Sequence, residues 1–86
     1  METKTFYGVE YKSAGDGQTF DIFPTLKEAK LFSKSIVSFG KEYNPLYIFK
    51  AEFNRQNVFK ENNQWNYDDY PDTIIRCHKY YKTISN

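Results

Sequence analysis

One stretch of this chain reads as a helix, and most of what flanks it alternates with a period of two. Thr25-Leu26-Lys27-Glu28 has the form of a capping box, with the Thr25 hydroxyl placed to take a free amide and Glu28 to reach back. Ala29, Phe32, Ile36 and Phe39 follow at helical spacing, flanked by Leu26 and Val37. Projected at about 100° per residue, these six fall within an arc of roughly 160°, wide enough for a core-facing stripe. Gly40 stands where a left-handed C-cap belongs, with Lys41 behind it. The pattern predicts a helix from Leu26 to Phe39, capped by Thr25 and Gly40.

On the N-terminal side, Thr5, Tyr7, Val9 and Tyr11 alternate with Lys4, Phe6, Gly8 and Glu10, which is a strand period. The run 13–17 reads as a turn because it carries Gly15 and Gly17, and Gln18 to Phe23 reads as a second strand forming a hairpin with the first. Beyond the helix, Leu46 to Asn54 places Tyr47, Phe49, Ala51 and Phe53 on one side. Val58-Phe59 interrupts a polar stretch as a short extended piece, residues 65–72 read as an aromatic–acidic loop, and Thr73 to Ile84 reads as a final strand. The order β-β-α-β-(β)-β predicts a single α+β domain, residues 1–86. Its antiparallel or mixed sheet has four to five strands, with one helix packed on one face. The other face then lacks a helix and carries surplus aromatics, a candidate partner surface or homodimer interface. The alternative is that Tyr rings lie flat on a wet sheet with their hydroxyls solvated.

A chain of 86 residues has a thin core. Eight Phe, eight Tyr and one Trp offset that deficit, since each ring buries roughly 150–250 Å² when packed. Cys77 is the sole cysteine, so no internal disulfide forms, and a reducing, cytoplasmic compartment is the expectation. Met1-Glu2-Thr3-Lys4 does not open a charged and apolar leader, and no run approaches the ~18 apolar residues of a membrane span. Twelve basic against eleven acidic side chains make a global draw to nucleic acid or anionic membrane weak, and exclude an acidic DNA mimic.

Residues with A/T-rich codons (Phe, Tyr, Met, Ile, Asn, Lys) number 40, whereas Gly, Ala, Arg and Pro together number 12, which points to an A/T-rich genome. In size and composition the chain resembles the small accessory proteins of A/T-rich phages and mobile elements. That resemblance spans the whole chain and rests on no motif. It implies a protein that binds, and inhibits, a host factor such as a defence enzyme.

Little in the sequence carries catalytic chemistry. Asp68, Asp69, Asp72 and His78 fit no metal-loop spacing and read as a solvated turn. Cys77 and His78 are neighbours, so a strand sends them to opposite faces. Cys77 then reads as a small buried hydrophobe and His78 as a surface imidazole. No phosphate-binding glycine loop, nucleophile elbow or zinc-protease motif is present. The expectation is a non-enzymatic chain without cofactor or metal.

Three groups could bind. Trp65, Tyr67 and Tyr70 form an aromatic patch of the kind that dominates protein interfaces, with a core lid as the competing role for Trp65. Lys27, Lys30 and Lys34 share one side of the helix with Leu31 set among them outside the apolar arc, a basic ridge suited to an acidic partner. Arg76, Lys79, Tyr80, Tyr81 and Lys82 mix cations with rings as single-stranded nucleic-acid binders do, although edge-strand lysines also block edge pairing. Another protein is the expected partner, with a nucleic acid or small ligand on the aromatic sheet face as the alternative.

Overall fold

The computed structural model describes residues 2–13, 17–36, 38, 44–68 and 73–82, with the backbone alone for Ser13, Gln18, Asn44 and Lys82. Strand β1 (Thr3–Ser13) and strand β2 (Gly17–Phe23) form the expected hairpin, with Tyr7 opposite Phe23 and Ser13 opposite Gly17. Helix α1 (Leu26–Ile36) leads to β3 (Asn44–Asn54). A 3-10 turn (Arg55–Asn57) precedes β4 (Val58–Glu61), β5 (Gln64–Tyr67) and β6 (Ile74–Lys82). The chain is thus α+β, with a four-stranded sheet ordered β2-β1-β3-β6 and a separate β4-β5 ribbon. Both β2 and β3 are antiparallel to β1, so they run parallel to each other on either side of it, linked by the helical crossover.

The helix starts as its sequence dictates. The Glu28 amide donates to Thr25 Oγ1 at 3.2 Å, and the Thr25 hydroxyl donates to Glu28 Oε2 at 2.9 Å. A cap of this kind stabilises by about 1 kcal/mol. The described helix runs to Ile36, and the expected end, with Val37, Phe39 and the Gly40 cap, lies outside the described residues. Ala29 and Ile36 are fully buried, while Leu26 and Phe32 are half-buried against the same cluster. Ser33 is buried as well, which its polarity hides from an apolar-stripe reading. Its hydroxyl is satisfied by donating to the Lys30 carbonyl at 3.0 Å.

The alternation in β1 separates two cores. Tyr7, Val9 and Tyr11 face the helix with Phe23, Ile48 and Tyr81. Phe6 faces the other way, with Phe20, Ile22, Phe49, Ala51 and Phe53. The expectation that this second face is uncovered is corrected by the structure. The β4-β5 ribbon lies on it, adding Val58, Trp65 and Tyr67 to the cluster. The stretch read as an aromatic–acidic loop therefore begins as strand β5. Its ribbon turns at Asn62 and Asn63, whose φ of 52° and 61° are the paired positive values of a two-residue hairpin turn. This second layer covers Phe6, Phe20 and Phe53, while Tyr47 and Tyr80 on the same face stay exposed, at 50% and 60%.

One carboxylate sits awkwardly in this arrangement. Asp21 lies opposite the buried Val9 and accepts a hydrogen bond from Tyr11 Oη at 3.0 Å. Burial pushes its carboxyl above the ordinary range, and the Tyr11 hydroxyl only partly offsets this. Between the unfolded value, about 3.9, and the raised folded one, the folded state holds more protons, so stability falls as pH rises through that window. Asp21→Asn keeps an acceptor for Tyr11 and removes the charge. Its melting temperature should exceed that of the wild type at pH 7, and the gap should close near pH 4. A variant less stable than wild type at pH 7 contradicts this.

Candidate functional site

The structure places the three sequence-predicted groups very differently. Trp65 and Tyr67 are half-buried and pack against the second core. The Trp65 ring sits 4.9 Å from Phe6, and Tyr67 stacks on Phe20 at 4.4 Å with the planes 7° apart. Tyr67 Oη donates to the Phe20 carbonyl at 2.7 Å, and Lys4 Nζ lies 4.3 Å over the Trp65 ring. Both rings close the second core, so the lid describes their position better than a free partner patch. Tyr70 lies outside the described residues.

The helix ridge is free. Lys27, Lys30, Leu31 and Lys34 are all exposed, Leu31 at 59%. With the half-buried Leu26 they line a shallow groove of about 420 Å³. Among the described residues no carboxylate lies within ion-pair distance of these three ammonium groups. Leu31 is outside the arc that packs on the sheet, so folding leaves it in water. The groove brings two apolar side chains together with three cationic ones.

The basic–aromatic segment of β6 is split by the strand. Tyr80 faces the same way as Phe49, 5.8 Å from its ring, and also touches Tyr47. Lys79 and Tyr81 lie on the helix-bearing face, with Lys79 Nζ 4.9 Å over the Tyr81 ring. The Lys82 side chain lies outside the described residues. No continuous stacking platform joins Tyr80 to Tyr81. Beyond the helix, Thr5, Lys50, Glu52, His78, Lys79 and Tyr81 line an open polar cleft of about 470 Å³. Lys50 was not legible as a member, because only the β3–β6 register sets it opposite Lys79. Its Nζ stands 5.9 Å from the Tyr7 ring, whose centre is 6.4 Å from that of Tyr81.

Glu52 anchors the far end of the cleft. It accepts from Thr3 Oγ1 at 3.0 Å, meets His78 Nε2 at 3.0 Å, and lies 3.9 Å from Arg76 Nε. His78 reaches it because the β3–β6 pairing shifts register between Lys50 and Ala51, so that strand alternation breaks there. A second shift follows between Glu52 and Phe53. Two bulges on an edge strand also blunt it against pairing with another chain. Cys77 is exposed, which corrects the expectation of a buried hydrophobe. An edge strand has a neighbour on one side only, and the ribbon's apolar residues are taken up by Phe6 and Phe20 rather than Cys77. Asp69 and Asp72 lie outside the described residues, and among those described no three His, Cys, Asp or Glu side chains gather as metal ligands.

These elements define an α+β domain with a helix on one sheet face, a ribbon on the other, and two basic surfaces beside the helix. No family model, curated protein or solved structure matches the chain.

Proposed function

We propose that this chain is a non-enzymatic binding protein that docks on an acidic protein surface through the outer face of α1. The observation that supports this reading is Leu31, exposed at 59% and lining a shallow groove with Leu26, Lys27, Lys30 and Lys34. Such a groove takes one apolar anchor, while the unpaired ammonium groups select a partner with carboxylates around it. With Trp65 and Tyr67 half-buried against the core, the ridge is the sequence-predicted protein-binding group whose described residues are all exposed. The size and composition give this binding a setting. It is that of a phage or mobile-element accessory protein that attaches to and inhibits a host factor such as a defence enzyme.

The test is comparative capture. Wild-type protein, Leu31→Asp, and Lys30→Glu with Lys34→Glu are immobilised and exposed to lysate of an A/T-rich bacterial host. A protein retained by the wild type is then purified, and its affinity for each variant measured. Leu31→Asp should weaken that affinity by about 2 kcal/mol or more, as loss of a central anchor does. The double charge reversal should slow association at low salt. Equal affinity of all three proteins for the captured partner refutes the ridge as its docking site.

A further inference from the structure

The polar cleft beside the helix holds two cations that the fold sets against each other. Lys50 and Lys79 are directly opposite across β3 and β6, on one face. Like charges so placed destabilise a sheet. Among the described residues neither ammonium has a carboxylate within ion-pair distance. The carboxylate of the cleft, Glu52, is engaged instead by Thr3, His78 and Arg76. The Lys50 ammonium lies 5.9 Å from the Tyr7 ring, and that of the exposed Lys79 lies 4.9 Å over the Tyr81 ring. The rings offset part of the repulsion, and a sheet that still sets two like charges side by side breaks a local rule of the kind expected at functional or strained positions.

We infer that the cleft binds a phosphate monoester, its oxygens bridging Lys50 Nζ and Lys79 Nζ with the Thr5 hydroxyl as a further donor. The charge decides the class. A monoester carries about −1.5 to −2 at neutral pH and presents three terminal oxygens, which matches two unpaired ammonium groups and a hydroxyl. A backbone diester carries one charge and two free oxygens, and leaves one lysine unanswered. The Glu52 carboxylate lines the same cleft and opposes an anion there, an effect that Arg76, 3.9 Å away, and the hydrogen bond from Thr3 reduce. This surface is separate from the helix ridge, so its ligand is independent of the docking reading above.

The test uses the full chain and four probes at matched ionic strength, by titration calorimetry and thermal melting. The probes are AMP, a phosphoserine tripeptide, inorganic phosphate, and an oligothymidylate with hydroxyls at both ends. The two monoesters should bind saturably and raise the melting temperature, as any ligand of the native state does. Lys50→Gln and Lys79→Gln should each weaken binding at least about tenfold, the loss of one charge-assisted contact, and both should melt cooperatively. Tighter binding of AMP assigns the cleft to a small phosphorylated molecule, and tighter binding of the tripeptide assigns it to a phosphorylated protein. The proposal falls if no monoester saturates the protein by about 10 mM, where binding contributes little above background. It falls equally if both lysine variants bind as wild type, if inorganic phosphate binds and neither monoester does, or if the oligothymidylate binds as tightly as AMP.

Discussion

Phe6→Ala should destabilise the protein by about 3–5 kcal/mol, the range for deleting a buried ring. That is a large share of the roughly 4–13 kcal/mol expected for a chain of this length. Phe6 is fully buried between the sheet and the ribbon, 5.5 Å edge-on from Phe53 and 4.9 Å from Trp65. Isolated two-stranded ribbons are marginal in water, so β4-β5 depends on what it packs against. Removing Phe6 takes away the partner of Trp65 and should loosen the ribbon before the sheet. Trp65 is the single tryptophan, so its fluorescence reports on that step. The variant should show red-shifted native emission and a lower denaturation midpoint. Phe32→Ala, on the helix, should cost less, because its ring is only half-buried. Equal losses at the two positions would contradict the two-layer account of the second core.

Gly8→Ala is the second large effect, although it adds a single methyl. A Cβ at Gly8 would stand 2.2 Å from Phe49 Cζ and 2.5 and 2.8 Å from the two flanking ring carbons. Phe49 lies directly across from Gly8 in the β1–β3 register, and its ring folds down over the space a side chain would fill. The ring cannot simply step aside toward β2. It is held 5.5 Å from Phe20, itself stacked under Tyr67. Displacement toward Tyr80 exposes it to water. Overpacking of this kind costs about 1–3 kcal/mol, and more where the neighbour is pinned. The direct check is a double-mutant cycle, since Gly8→Ala with Phe49→Ala should lose less than the sum of the two single losses. Strict additivity would mean that the glycine is required for another reason.

Local signals carried the sequence-level reading as far as they reach. The capping box at Thr25 and Glu28, the helical spacing of Ala29, Phe32 and Ile36, and the alternation of β1 each depend on residues a few positions apart. Each therefore survives without knowledge of the fold. The same logic placed Leu31 and its lysines outside the apolar arc, where the structure leaves them exposed. Ser33 escaped because burial of a hydroxyl is decided by what lies above it.

The second sheet layer was hidden for a different reason. Four-residue strands give too few periods to register, and Asn62-Asn63 was the one local sign of a turn there. Whether Trp65 and Tyr67 meet solvent or Phe6 and Phe20 depends on contacts across about sixty and fifty positions of chain, which no local pattern encodes. Register is likewise a tertiary quantity. The bulge between Lys50 and Ala51 brings His78 to Glu52, and the pairing of β3 with β6 sets Lys50 against Lys79. A shift of one residue would send those side chains to the other face. The sequence by itself determined one helix on an aromatic sheet. Strand register and ribbon packing, fixed by burial of rings distant in the chain, decided which rings are core and which cations share a cleft.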